Sequence, residues 1–532
     1  MQRAIGLVVM LTLGLWGACV SAKTLTFCSE ANPESLSPIL NTSTTSMDVT
    51  GQMYESLVAF KKGTTQIRPA LAERWRISDD GLTYTFFLRK GVKWHSNNAF
   101  KPTRDFNADD VLFSIKRQWL PDHPFFNVSS AQHPYFNDMN MGQVLAAVEK
   151  VDSHTVVIRV KQPMAPLLAN LAMSWASVYS EEYAQTVLKL GEPERVDEQP
   201  IGTGPFQFVS YDKDLSVKYR AFHSHWAGQP KVDELVFLIQ PDSTTRLVHL
   251  QAGKCQVMAY PNPADLNKIT KSADLKLLSQ TGLNVGYLAY NTEKKPFDDV
   301  RVRRALNMAI NQRRLLRAVY NHTAVPATNP FPPIQWGYNR EVNEDVHDPQ
   351  RAMMLLTEAG YPNGFETELW AMSVPRPYMP DAQAVAKLIQ EDLAQVGVKL
   401  QITSPEWSVY SKGMRAGQHA MALYGWTSDN GDPDNFLNTL LGCSAVKGSN
   451  VAKFCYEPYD ELVRQASRTL NIQERTRLYE KAQVMLKAQA PWFTIAHATQ
   501  FKAIRNEVIG FELSPMGQSE FFGVDLRSTS PD

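Results

Sequence analysis

The stretch "DAQAVAKLIQEDLAQVGVKLQI", Asp381–Ile402, decides the class of fold. Val385, Leu388, Ile389, Leu393 and Val396 recur at helical spacing and share one apolar face. Gly397 stops the helix, because glycine tolerates the left-handed backbone that ends a helical turn, and "VKLQI" begins a strand. Outward from there, "ERTRLYEKAQVMLKAQAPWFTIAH", Glu474–His497, repeats the helix-to-strand order with Pro491 as the stop. Near the other end, "LTYTFFL", Leu82–Leu88, alternates after the turn "SDDG" and reads as a strand. "NADDVLFSIKRQW", Asn107–Trp119, follows as a helix capped by Asn107. Helices and strands mix throughout, so the class is α/β (mixed α+β).

The chain has 532 residues, enough for two or three domains. Hydrophobic content of 44% with 20% charged residues is ordinary for a globular protein. No short repeat, low-complexity tract or long linker interrupts it. The formal net charge is zero, which gives no footprint for a nucleic-acid or anionic-membrane partner. Six arginines cluster between Arg301 and Arg317, but they share a helical pattern with Val302, Ala305, Leu306, Ala309 and Ile310, and are expected on a solvated face.

Residues 1–22 carry one early charge, Arg3, then an apolar run, then "VSA" before Lys23, the anatomy of a secretory signal peptide. A retained membrane span would be short and would end in small residues. Lipid attachment at Cys19 is a further alternative, against which Trp16 stands where a small or aliphatic residue is wanted. The mature chain is expected in the periplasm. After removal of the leader, Cys28, Cys255, Cys443 and Cys455 remain, an even number in an exported chain, which points to two disulfides in one of three pairings. Zinc ligation lacks a C-x-x-C or a nearby histidine pair.

Motifs for catalysis are missing: no G-x-S-x-G, no H-E-x-x-H and no P-loop. "GTGPFQ" at Gly202 lacks the third glycine of a dinucleotide fingerprint and reads as a tight turn or a crossing of segments. His223 and His225 in "FHSHW" could ligate a metal or haem iron, although no further ligand is evident. "GWTSDNGDPDNF", Gly425–Phe436, gathers Asp429, Asp432 and Asp434, yet no register supplies the Gly and Glu of a calcium loop. Turn chemistry accounts for Asp432 and Asp434 and leaves Asp429, beside Trp426, unexplained.

The segment Leu71–Ser114, "LAERWRISDDGLTYTFFLRKGVKWHSNNAFKPTRDFNADDVLFS", resembles the signature region of the bacterial peptide/nickel extracellular solute-binding proteins, family 5, the receptors of ABC importers. "PIGTGPF", "CQVMAYPNPAD", "GLNVGYLAYN", "KKPFDDVRVRRAL", "PPIQWGYN" and "GWTSDNGDPDNF" follow in the order seen in peptide receptors of that family. The resemblance implies a two-lobed, flytrap-like binding protein. Lobe I would span 23–282 plus 500–532, with an additional subdomain at about 55–204, and lobe II would span 283–499. It also implies the pairings Cys28–Cys255 and Cys443–Cys455, and a hinge at two crossing strands near "GLNVGYL" and "FTIAHAT".

A short peptide has an ammonium at one end and a carboxylate at the other, and both need buried partners once water is excluded. The resemblance assigns Asp429 to the ammonium and Arg376, in "SVPRPYMP", to the carboxylate. Trp426, Thr427 and Ser428 are expected beside the ligand, and Thr42, Ser43 and Thr44 in the facing loop. Val374, Pro375 and Ser428 depart from the family's dipeptide receptors, which leaves ligand length and side-chain preference open. No cofactor or metal is expected; the protein is expected to be a monomer that hands a di- or tripeptide to an ABC permease. Haem, glutathione or a metal chelate in the same fold, and an exported peptide hydrolase, are the alternatives.

Overall fold

The computed structural model describes residues 22–130 and 133–527; the leader reading and Cys19 fall outside them but for Ala22. Asp381 caps the helix Ala382–Ala394, accepting from the Ala384 amide. Val385, Ile389, Leu393 and Val396 are buried, whereas Leu388 at the edge of the apolar face is half-buried. Gly397 takes φ +82° and turns the chain into the strand Lys399–Thr403. That strand pairs in parallel with Glu366–Trp370, so the helix between them is a crossover of the βαβ kind.

One strand organises the rest. Trp492–Arg505 runs for 14 residues through two sheet regions. Its first half pairs with Asn284–Tyr290 and Ala324–Pro326, beyond which lie Met421–Thr427, Glu366–Trp370 and Lys399–Thr403. Its second half pairs with Leu275–Thr281 and Val257–Ala259, followed outward by Thr24–Ser29, Glu234–Ile239, Ser216–Ala221 and Phe206–Asp212. At the join, Asn284 accepts from the Ala498 amide at 2.8 Å and donates to its carbonyl at 2.9 Å, fastening the two crossing segments side by side.

A separate antiparallel sheet, Ala72–Ile77, Thr83–Leu88, Thr155–Val160 and Leu145–Asp152, packs with the helix Ala108–Trp119, whose Asn107 and Asp110 form a capping box. At "GTGPF" the chain crosses another segment: the Gly204 amide donates to Met53 O at 2.9 Å. The disulfides join Cys28 to Cys255 and Cys443 to Cys455.

The arginine-rich helix Val300–Ala309 corrects one expectation. Arg301 is exposed, but Arg303 is buried and donates to the carbonyls of Gln489, Ala490 and Phe297. It caps the C-terminus of the helix Ile472–Gln489, where unpaired carbonyls and the helix dipole favour a cation.

Candidate functional site

A small cavity collects residues from far-apart parts of the chain. Thr42, Ser43 and Thr44 line it from the start of the helix Thr44–Thr50, and Trp426, Thr427 and Asp429 from the end of the strand Met421–Thr427. Arg376, Tyr378, Trp407, Tyr424 and Gly425 complete the wall, around about 20 Å³, room for about one water. Gly425 is required by this packing, because a Cβ there would lie 2.1 Å from the Tyr378 ring. Ser428 does not line the cavity. Its amide donates to Leu283 O at 2.7 Å, beside the neighbouring strand Asn284–Tyr290, and its hydroxyl accepts from the Gly431 amide at 2.9 Å within the turn.

Asp429 is buried among uncharged donors. Asn435 holds it from both sides, accepting from the Asp429 amide at 3.0 Å and donating to Oδ2 at 3.3 Å. The same Asn435 oxygen accepts from Trp426 Nε1 at 2.9 Å, which fixes the indole against the carboxylate. Desolvation pushes the Asp429 carboxyl up to about 7, and the neighbouring polar groups of Tyr135, Asn435 and Trp426 only partly offset it. Asp434 is likewise pushed up to about 7 by desolvation, but it does not line the cavity, and Asp432 differs from both. Asp432 accepts from the Asp434 amide at 2.9 Å and pairs with Arg475 at 2.8 Å, which removes it from any ligand role.

Arg376 sits on a loop closed by two hydrogen bonds with Met379, each 3.0 Å, between Pro375 and Pro377. Its guanidinium lies 4.5 Å over the Trp407 ring. Nη1 donates to Glu30 Oε1, and among the described residues Nη2 is buried without a hydrogen-bond partner. Burial is the largest influence and would pull Arg376 below its ordinary value, but the Glu30 carboxylate together with Tyr378 and Tyr260 outweighs it and holds the group charged.

Further contacts tie the two sides together. Glu34 accepts from the Thr42 amide at 3.1 Å and from Ser411 Oγ at 2.9 Å, and Arg415 lies 3.7 Å away. Burial would raise Glu34, but Arg415 and these donors hold it below the ordinary carboxylate range. Arg415 Nη1 also donates to Thr42 Oγ1 at 2.9 Å, and Asn430 Nδ2 to Asn170 Oδ1 at 2.7 Å. Glu30, Glu34, Trp407 and Asn435 were not singled out from sequence. Glu30 and Arg376 are separated by 346 residues, and no local spacing signals such a pair.

The two histidines of "FHSHW" are not brought together as ligands. His223 is exposed, whereas His225 is buried with Nε2 3.3 Å from Glu55 and its ring 4.9 Å from Phe522. Neither lines the cavity. Among the described residues no helix is long and apolar enough to cross a membrane.

The chain is similar to known proteins over nearly its whole length. The family model described as bacterial extracellular solute-binding proteins, family 5 middle, matches residues 66–448. The chain is 47% identical to a dipeptide-binding protein of Escherichia coli (strain K12), over 97% of this chain and 98% of that protein. It is also 47% identical to the heme-binding protein A of Haemophilus influenzae, over 95% and 93% of the two chains. Among solved structures, a dipeptide-binding protein from Pseudoalteromonas sp. SM9913 in complex with Met-Leu aligns with a TM-score of 0.93 at 36% identity. That alignment covers 95% of this chain and all of the other, so the architecture is the two-lobed one. The chain belongs to family 5 of the bacterial extracellular solute-binding proteins.

Proposed function

We propose that this protein captures short peptides, di- or tripeptides, by their free ends and delivers them to an ABC importer from the periplasm. Asp429 receives the ligand ammonium and Arg376 the carboxylate. The observation that carries this reading is one cavity lined by both an uncompensated buried carboxylate and a buried guanidinium with a free nitrogen. An isolated buried charge is costly, and a zwitterion supplies both counter-charges at once. The complex of a similar protein with Met-Leu supports a ligand of this size.

Peptide residues add about 3.3–3.6 Å each, so the separation of the two anchors sets ligand length. Thr427 and Trp426 flank the backbone and Thr42–Thr44 face it from the other lobe. We assign lobe I to 23–282 plus 500–532, with its subdomain at about 55–204, and lobe II to 283–499, a division supported by the two sheet regions that share the strand Trp492–Arg505. A cavity of about 20 Å³ does not admit a peptide until the lobes part, and the crossing segments at Asn284 and Ala498 are the place for that hinge.

Calorimetric titration with Met-Leu, N-acetyl-Met-Leu and Met-Leu amide tests the reading. Binding of the free peptide and large losses with either blocked form are expected. Equal binding of all three would overturn it. Incubation of purified protein with the same peptide, with no hydrolysis products, is expected of a receptor and would be contradicted by product formation.

A further inference from the structure

Behind Arg376 lies a group of charges that the two-anchor reading does not use. Glu30 accepts from Arg376 Nη1 and from Thr45 Oγ1. The Tyr260 ring lies near both Arg376, 5.9 Å from its centroid, and Lys502, 5.7 Å from it. Lys502 Nζ donates to Ser519 Oγ, which donates in turn to Asp48 Oδ2 at 3.1 Å, while the Ser519 amide donates to Asp48 Oδ1 at 2.6 Å. Arg246 completes the group. Its N–H groups go to the carbonyls of Ala259, Gln240, Pro241 and Tyr260, at 2.7–3.1 Å, and none to a carboxylate.

None of the five side chains, Glu30, Asp48, Arg246, Arg376 and Lys502, is more than 4% exposed. Glu30 is electrostatically coupled to the other four. Three cations face two carboxylates, an excess of one positive charge in a dry place. Asp242, the next carboxylate near Arg246, is exposed and screened by water. Burial pushes Asp48 up to about 7 and pulls Lys502 down, but a proton passing from Lys502 to Asp48 leaves the total unchanged, and protonation of Asp48 alone only enlarges the excess. The Asp48 and Glu30 carboxylates oppose loss of the Lys502 proton to solvent.

A buried net charge is unfavourable until a counter-ion arrives. A ligand carboxylate at Arg376 Nη2 brings the group to neutrality; an amide does not. We infer that this excess positive charge, rather than Arg376 alone, selects ligands with a free carboxylate, and that Glu30 and Lys502 are specificity-determining residues which set its size. The inference rests on the assignment of the ligand carboxylate to Arg376. Lys502 lies on the strand Trp492–Arg505 that joins the lobes and Arg376 on the opposite lobe, so neutralising the group also favours their approach.

The test is the ratio of affinities for Met-Leu and Met-Leu amide, measured by calorimetry. Lys502→Met removes the excess and should lower the ratio by about tenfold or more. Glu30→Gln keeps an oxygen for Arg376 and Thr45 but enlarges the excess, and should raise the ratio by a similar factor. Asp48→Asn, a second removal of negative charge, should move it in the same direction as Glu30→Gln, and serves if Glu30→Gln does not fold. General damage to the fold weakens both ligands together and leaves the ratio in place. Opposite shifts support the inference; an unchanged ratio, or shifts of one sign in all variants, would overturn it. A wild-type ratio near one would instead overturn the two-anchor reading itself.

Discussion

Asp429 and Arg376 line the same cavity but are kept in the dry interior by opposite means. Asp429 stands without a nearby cation, held by Asn435 and flanked by Tyr135 and Trp426, all uncharged. Arg376 is stacked on Trp407 and paired with Glu30 inside a group of five charges. A lone carboxylate answers desolvation by holding its proton more tightly, whereas a guanidinium in a charged group stays ionised. The two ends of the site therefore differ in their sensitivity to pH as well as in sign.

The largest expected effects come from deleting the charges. Asp429→Asn and Arg376→Met should each weaken peptide binding by about 3–5 kcal/mol, since the partner charge is left buried and unpaired. The variants should separate by ligand: Arg376→Met loses the preference for Met-Leu over its amide, and Asp429→Asn the preference over the N-acetyl form. Calorimetry on the three ligands checks this, and an unchanged affinity in either variant removes that end from the site.

Next comes pH. Asp429 is raised from an ordinary 3.8 to about 7, so the unliganded fold holds a proton that the unfolded chain has lost between those values. Raising pH through that window takes away this contribution to the unliganded stability. An ammonium needs the carboxylate form, so affinity should fall about tenfold between pH 8 and pH 6. Asp429→Asn should flatten that slope while Arg376→Met should keep it. If both variants keep it, the titrating group is not Asp429.

A smaller effect is expected from Asn435→Ala, which leaves the Trp426 indole N–H and one Asp429 oxygen without their partner. A loss of about 1–3 kcal/mol in binding is expected, with the ammonium end affected and the acid-to-amide ratio unmoved. Smallest is Ser428→Ala. Its hydroxyl serves only the Gly431 turn, so thermal unfolding should report about 1 kcal/mol and calorimetry no change in ligand preference.

Much of the fold was legible because it is written in local periodicity. The Asp381–Ile402 helix and strand, the Asn107 cap and the stop at Pro491 each follow from residues within a few positions of one another. Leu388 is half-buried because the apolar face is narrower than the pattern, and Arg303 is buried because it also reaches the carbonyls of Gln489 and Ala490, almost 190 residues away at the end of another helix. In the site, the resemblance brought forward Asp429, Arg376, Trp426 and Thr42–Thr44, all of which line one cavity. Glu30, Asn435 and Lys502 stayed hidden, since a buried counter-charge or an orienting amide leaves no spacing signature. Ser428, next to Asp429 in sequence, does not line the cavity: its amide goes to Leu283 O and its hydroxyl to the Gly431 amide.

The strand Trp492–Arg505 lies in the middle of the strand order yet near the end of the chain. During synthesis, neither sheet region can acquire that strand until more than nine-tenths of the polypeptide has emerged. This connectivity delays completion of both lobes to the same late moment, which would keep the chain threadable in the export route proposed for it. Chains truncated before Trp492 should accordingly be digested rapidly by protease, and a protease-resistant lobe in such a truncation would show that the delay is not built into the topology.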